Sequence, residues 1–454
     1  MSDTIAAIST AQGAGGIGVI RISGEKAKEI ADKVFYSTTG KKIKDTPGYT
    51  ARYGHVRDQG ETIDEAVALV FDGPKSYTGE DVVELSCHGG LYLTKRVLRA
   101  VLEAGAKAAG PGEFTRRAFL NGKLGLTEAE AVMDLISAQG RQAARAALAG
   151  REGVLHRRLE KVKQSLLSAA AHLSAWADYP EEDIPQVEHF ALQNTLERAG
   201  GEMESLLSHY DAGKAIREGV DTVIAGRPNV GKSTLMNLLS GCERSIVTNV
   251  PGTTRDVIEE TVMVGDIPLH LADTAGMRST DDPVERIGVD LARRRVDRAS
   301  LVLAVFDASQ HLDEDDRRLL DSLTGVPAVA IINKTDLPKC VEEEEIREKV
   351  GRVVFMSAAS GEGIKPLEQA VAEVLGTADF DPAAGMLATE RQRDAANRCK
   401  QCVDEALSAL QMGMTLDAVT VSIEDAVQNL LELTGERVSE AVVDQVFHHF
   451  CVGK

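Results

Sequence analysis

Gly226-Arg227-Pro228-Asn229-Val230-Gly231-Lys232-Ser233 follows a short apolar run, Thr222-Val223-Ile224-Ala225, and leads into Leu235-Met236-Asn237-Leu238-Leu239. The first run reads as a strand and the second as a helix, which is the setting a GxxxxGK[ST] phosphate loop requires. Its glycines let the backbone turn tightly enough for successive N–H groups to face a phosphate. Lys232 supplies a cation for the β/γ-phosphates, Ser233 a hydroxyl for Mg²⁺, and the helix start its partial positive charge. Asn229, Val230, Gly231, Lys232, Ser233 and Thr234 are the candidate phosphate-binding residues. Alone, this stretch names a nucleotide without choosing one.

Three segments downstream choose it. Asp273-Thr274-Ala275-Gly276 follows Leu269-His270-Leu271-Ala272, placing a carboxylate at a strand end, on the metal side of the phosphates. Asn333-Lys334-Thr335-Asp336 follows Ala328-Val329-Ala330-Ile331-Ile332. A carboxylate there accepts from guanine N1–H and N2–H₂ together, whereas adenine would oppose it with lone pairs. Ser357-Ala358-Ala359, after Val353-Val354-Phe355-Met356, suits a backbone contact to guanine O6. Any one of these is an ordinary turn after a buried strand. All four, in this order and spacing, read as a GTPase domain.

The 454 residues suffice for roughly three domains of ordinary size. Hydrophobic content of 43% and charged content of 27% are those of a globular protein. No run of eighteen apolar residues suggests a membrane span, and MSDTIAAIST lacks the basic-then-apolar order of a secretory signal, so a cytoplasmic protein is expected. A net charge of −19 argues against wholesale electrostatic capture of nucleic acid, while leaving room for a local basic patch. Six scattered cysteines fit a reducing compartment. Cys399-Lys400-Gln401-Cys402, a lone CxxC, reads as two cysteines on one helix face, and Glu342 to Glu345 as a solvated helix start.

Working outward, residues 1–120 alternate strand-like runs with Gly-rich turns around a helical stretch from Tyr92 to Glu103, an α+β pattern. Gly13 to Gly18 formally matches GxGxxG, but Val19-Ile20-Arg21-Ile22 after it reads as a strand where that fingerprint opens a helix. Leu155, Leu159, Val162, Leu166, Ala169 and Leu173 recur at helical spacing, and the helical texture of 121–216 is interrupted at Asp178 to Pro185. Residues 217–379 alternate strands and helices as a parallel sheet does. Helical periodicity then returns in 380–454 through Leu416, Val419, Ile423, Val427 and Leu430. Each helical block needs a partner for its apolar stripe. The expected architecture is multidomain, α/β and α: an N-terminal α+β domain, a discontinuous all-helical domain, and a Ras-like α/β P-loop G domain inserted into it.

GGIGVIRISG at 15–24, SYTGEDVVELSCHGG at 76–90, PGEFTRRAFLNGKL at 111–124, TNVPGTTRD at 248–256, DTAGMR at 273–278, VERIG at 284–288 and the CVGK tail resemble the tRNA-modification GTPase family MnmE, also called TrmE, over the whole chain. The resemblance implies that the N-terminal domain binds folate and dimerises. It further implies a homodimer that forms a heterotetramer with the flavoprotein MnmG, the only bearer of FAD. Together they would add a carboxymethylaminomethyl or aminomethyl group to C5 of the wobble uridine of certain tRNAs, drawing on 5-formyl- or 5,10-methylene-tetrahydrofolate. No membrane association is expected.

Two departures from the Ras pattern bear on catalysis. Ras-type enzymes orient the attacking water with a glutamine just after DxxG; here Met277 stands there. By resemblance Glu285 acts instead, through water, and K⁺ replaces an arginine finger, held by Asn229, Thr248, Val250 and Thr253. Taken without the resemblance, Glu285 is a solvent-facing helix residue. Thr254 joins Ser233 as a Mg²⁺ ligand, and Asn249, Pro251 and Gly252 complete the loop that wraps GTP. Arg21, Glu84, Lys123 and Lys454 match the family's folate positions: an acid for the pterin's N–H groups and bases for the anionic tail. Cys451 admits two readings, a thiolate that adds to C6 of uridine or a packed thiol after the apolar run Val446 to Phe450. The competing function is a GTPase switch in ribosome assembly, disfavoured because neither a second G domain nor a basic RNA-binding domain is present.

Overall fold

The computed structural model describes residues 3–178, 188–242, 260–271, 299–448 and 450–453. They divide into two units, Met1–Met133 with Gln428–Lys454, and Asp134–Val427. Among the described residues no helix is long and apolar enough to cross a membrane.

In the first unit β1 (Ile5–Ile8), β2 (Ile17–Ser23), β3 (Phe35–Ser37), β4 (Thr50–Asp58), β5 (Glu61–Phe71), β6 (Val82–His88) and β7 (Lys107–Ala108) form one sheet. Its order is β3-β4-β5-β6-β2-β1-β7, antiparallel except for the β1–β7 pair. Alternate residues turn inward: Ile20 and Ile22 from β2, Ala66, Ala68 and Val70 from β5, Val83, Leu85 and Cys87 from β6. Helices Ala27–Val34 and Leu91–Glu103 cover that face with Ile30, Val34, Val97 and Val101. Each such aliphatic side chain contributes about 1.5–3 kcal/mol by leaving water. The glycine-rich match at 13–18 runs into β2, a strand, so it is not the dinucleotide fingerprint.

The same unit includes residues from the far end of the sequence. Helix Glu440–His448 packs on helix Glu113–Leu120 through Phe447, Phe450 and Phe119. Arg116 pairs with Asp444 at 3.1 Å. Val452 bridges to Pro111, and Gly453 lies buried against β1. Its φ of 100° and the 2.3 Å that would separate a Cβ from the Ile8 carbonyl oxygen require glycine there.

The second unit joins a helical scaffold to an inserted sheet. Helices Val154–Asp178, His189–Ser208 and Glu390–Gln411 lie side by side, so segments before and after the sheet in sequence share one bundle. Arg158 spans the join, donating to Glu202 at 2.6 Å and to the carbonyls of Ala384 and Gly385. Cys399 is fully buried and Cys402 half-buried on the same helix; burial pushes the Cys399 thiol up to about 12.

The inserted sheet runs β13-β12-β11-β8-β10-β9. Its strands are β8 (Val220–Ala225), β9 (Glu260–Val264), β10 (Ile267–Leu271), β11 (Leu301–Asp307), β12 (Ala328–Asn333) and β13 (Val353–Phe355). Every pairing is parallel except β9 with β10. β11 and β12 are buried throughout because helices cover both faces. Helices Lys232–Cys242 and Ile364–Val374 lie on one side, and Glu314–Ser322 and Glu343–Lys349 on the other. The glutamate run does open a helix, but Glu342 is more than solvated: its carboxylate takes the Leu312 N–H and pairs with His311.

Candidate nucleotide and folate sites

The phosphate loop leaves β8 at Ala225 and enters helix Lys232–Cys242. Two of its glycines are required by close approach. A Cβ on Gly226 (φ 147°) would sit 2.4 Å from the Val305 carbonyl oxygen, and one on Gly231 (φ 100°) 2.2 Å from Asn333 Nδ2. Asn229 takes φ 65° and is exposed, as is Ser233 at the helix start. Lys232 Nζ donates to the carbonyls of Gly226 and Arg227, both at 2.7 Å, curling back over the loop.

Asn333 joins two loops at the strand ends. Its Nδ2 donates to the Val230 carbonyl at 2.8 Å and its Oδ1 accepts from Ala358 N–H at 2.9 Å. Fully buried, it ties the phosphate loop to the loop carrying Ser357, Ala358 and Ala359. Asp336 is exposed, and its Oδ1 accepts from Ser357 Oγ at 2.7 Å, which fixes the carboxylate's direction. Carboxylate, bridging amide and phosphate loop are thus held by one another.

Asp307, Ser309, Asp313 and Asp316 were not singled out from sequence, yet they hold Lys334 and Arg227 of the two motifs in place. Lys334 (φ 65°) donates to Asp307 Oδ2 at 2.6 Å, while Asp307 Oδ1 accepts from the Ser309 N–H and hydroxyl. Burial would raise the Asp307 carboxyl, but the bonds from Lys334 and Ser309 outweigh it and hold it below its ordinary value. Arg227 reaches the start of helix Glu314–Ser322, pairing with Asp313 at 2.6 Å and lying 3.2 Å from Asp316. Asp316 is raised by its burial, whereas Asp313 is lowered first by the Asp316 N–H it caps and then by Arg227. The available signals were an aspartate ending an apolar run, at Asp307, and Asp313 three residues before Asp316, the spacing of a capping box.

In the first unit Arg21 and Glu84 are directly opposed on β2 and β6, with Nε to Oε1 at 2.8 Å. The guanidinium lies over the rings of Tyr77 at 5.3 Å and Phe114 at 5.6 Å. Arg21 Nη1 also reaches the Gly453 carbonyl at 3.5 Å, and Ser9 Oγ donates to the same oxygen at 3.1 Å. The structure therefore brings Arg21, Glu84 and the residues preceding Lys454 together. Lys123 is exposed and donates to the Pro74 carbonyl at 3.0 Å, on the loop that also carries Tyr77. Cys451 is exposed rather than packed; Phe447 and Phe450 fill the apolar interior beside it. Thr248 to Thr254, Asp273 to Gly276, Met277, Glu285 and Lys454 lie outside the described residues.

Comparison with known proteins places these features in context. Residues 4–123 match the model of the GTP-binding protein TrmE N-terminus, and residues 126–451 that of the MnmE helical domain. The chain is 44% identical over 459 residues to the tRNA modification GTPase MnmE of Geobacillus thermodenitrificans, covering 100% of this chain and 99% of that protein. It is 45% identical over 456 residues to the protein of the same description from Symbiobacterium thermophilum, again covering 100% and 99%. Among solved structures, the G domain of the T. maritima FeoB iron transporter is 29% identical, covering 34% of this chain and 98% of that one with a TM-score of 0.26.

Proposed function

The chain belongs to the MnmE (TrmE) family of tRNA-modification GTPases, and from that premise we propose a specific division of labour. GTP hydrolysis takes place in the inserted domain. With the flavoprotein MnmG as partner, the protein adds a carboxymethylaminomethyl or aminomethyl group to C5 of the wobble uridine of certain tRNAs, using a one-carbon unit from folate. FAD resides on the partner alone.

The observation that carries the nucleotide half is Asn333 bridging Val230 and Ala358, since it sets base and phosphate loops at one spacing. Asp336 reads guanine N1–H and N2–H₂, Lys232 faces the β/γ-phosphates, and Glu285 positions the attacking water. Asn229 in the phosphate loop and Ser233 at the start of helix Lys232–Cys242, both exposed, offer the hard oxygen donors that suit K⁺ and Mg²⁺. Thr248, Val250, Thr253 and Thr254 would complete those two sets. The cations, when bound, offset charge on the phosphate oxygens.

The folate half is supported by the Arg21–Glu84 pair beside Gly453. Glu84 would accept from the pterin, while Arg21, Lys123 and Lys454 face the anionic tail, with Cys451 close by in sequence. A homodimer is supported by the sheet face opposite the helices. Tyr53 and Val67 oppose each other across β4 and β5 there and are 51% and 39% exposed, with Ile17 at 68%. Mass spectrometry of wobble uridines from a deletion strain, with and without this gene restored, tests the reading. Unchanged uridines in the deletion would end it. Equal GTPase rates in Na⁺ and K⁺ at matched ionic strength would end the cation assignment.

A further inference from the structure

The β9–β10 hairpin joins the TNVPGTTRD segment, which precedes it, to the DTAGMR segment, which follows it. It is a stiff element: five cross-strand pairs close on the two-residue turn Gly265-Asp266, and Gly265 takes φ 62°. Five residues of strand reach about 17 Å, so a shift imposed at one end is delivered at the other. Helices of the scaffold grip this hairpin at two points.

The first grip is at the turn. Asp266 Oδ1 accepts the N–H of Arg141 at 3.2 Å, the first residue of helix Arg141–Arg151. That helix begins at Gly140, without a capping side chain, and has no acidic residue in its first turn. Asp266 therefore supplies, from 125 positions away, the carboxylate that the helix start lacks. Close approach depends on the bare Gly140, where a Cβ would lie 2.9 Å from the Asp266 carbonyl oxygen and 3.2 Å from Met263 Cε.

The second grip is on β10. His270 Nε2 lies 2.7 Å from the carbonyl oxygen of Glu218, the last residue of helix Tyr210–Glu218. A carbonyl only accepts, so Nε2 carries the proton. Nδ1 meets Thr261 Oγ1 at 3.0 Å across the hairpin, which fixes the ring. Gly219 (φ 83°) clears the space, since a Cβ there would stand 2.6 Å from Nε2. Helix Tyr210–Glu218 is itself held by Arg217, which pairs with Asp134 of helix Leu126–Ser137 at 3.2 Å.

We propose that Asp266 and His270 are positioning residues that couple the helical scaffold to the nucleotide. They fix the hairpin against helices Arg141–Arg151 and Tyr210–Glu218, and so set where both nucleotide-facing segments are anchored. Coupling of this kind is reciprocal in binding free energy, so what GTP does to the hairpin is felt at the first turn of helix Arg141–Arg151; loosening that turn displaces the anchored segments and so slows hydrolysis. The guanine subsite, on loops after β12 and β13, is left alone.

The test uses the full-length protein. Hydrogen exchange of the amides of residues 141–144 is compared with GDP and with a non-hydrolysable GTP analogue bound. The rates are expected to differ between the two states in the wild type. Asp266→Ala should abolish the difference, lowering turnover by about fivefold, the low end of ordinary coupling between sites, with fluorescent-GDP affinity within about twofold of wild type. Gly140→Ala, which keeps every hairpin side chain, should do the same by steric displacement. Amides indifferent to the nucleotide in the wild type would overturn the proposal without recourse to any variant. Wild-type turnover in both variants would overturn it equally.

Discussion

The loops around Asp336 and the Arg21–Glu84 pair solve the same problem, holding charged side chains in one direction, by opposite means. In the first, the residues stand on loops at the ends of parallel strands, and each is fixed by a neighbouring loop: Asp336 by Ser357, Asn333 by Val230 and Ala358. In the second, Arg21 and Glu84 stand within two antiparallel strands and are fixed by sheet register and by aromatic faces above the guanidinium. A site on loops keeps its meaning in short contiguous motifs. A site in register spreads it over distant segments, and a slip of one residue between β2 and β6 would put the two side chains on opposite faces.

The largest effect that would break the comparison lies in the first site. Asp336→Asn keeps the acceptor for Ser357 but offers guanine an amide, so GTP affinity should fall by about a hundredfold while xanthosine triphosphate gains, as loss of a charged two-point hydrogen bond predicts. Nucleotide titration checks it, and retained GTP affinity would remove Asp336 from the base.

Next comes the register-built site. Glu84→Ala, or removal of residues 451–454, should weaken 5-formyl-tetrahydrofolate by about tenfold or more, some 1.4 kcal/mol. Calorimetry showing wild-type affinity in both variants would leave the Arg21–Glu84 pair a purely structural feature.

Asp307 sharpens the contrast at the level of stability. Its folded carboxyl is held below the ordinary value of 3.8. A depressed carboxyl stabilises fully above its unfolded pKa, and that contribution disappears as pH falls through the folded one. Asp307→Asn should therefore cost about 1–3 kcal/mol near neutrality and lose less on acidification than wild type. Denaturant melts at pH 7 and below pH 4 that run parallel for the two proteins would disprove it.

The smallest effect concerns thiols. Burial raises Cys87 to about 11 and Cys399 to about 12, whereas Cys451 is exposed. Iodoacetamide should label Cys451 well before either, and bound folate should slow it. Equal labelling of Cys399 and Cys451 would contradict the packing described here.

The order in which these sites became legible follows from the same contrast. GRPNVGKS, NKTD and SAA each fit within one turn and its flanking strand, so the parallel sheet and the loops at its strand ends could be read from local pattern. The insertion of that sheet into a helical bundle could be read because apolar stripes stopped before 217 and resumed after 380, each needing a partner. Arg227 could not be read beyond its place in the motif: its partners Asp313 and Asp316 lie 86 and more positions away on another helix. The opposition of Arg21 and Glu84 depended on strand order β6-β2, which no local pattern encodes. Cys451 was ambiguous because an apolar helix end predicts packing, and the two phenylalanines took that role.

Gly453 is stitched to Ser9 and Arg21, so β1 and β2 share a unit with residues made 444 and 432 codons after their partners. Domains ordinarily fold as they emerge, N-terminal first. Here the sheet of the first unit can form early, but Ser9 and Arg21 lack the Gly453 carbonyl they donate to until residue 453 has been made. A ribosome that stalls before codon 450 releases a chain whose inserted sheet is complete but whose Arg21–Glu84 pair lacks the Gly453 carbonyl beside it. The Asp336 and Arg21–Glu84 surroundings are thus completed at different times during synthesis, although the second begins with the earlier strands.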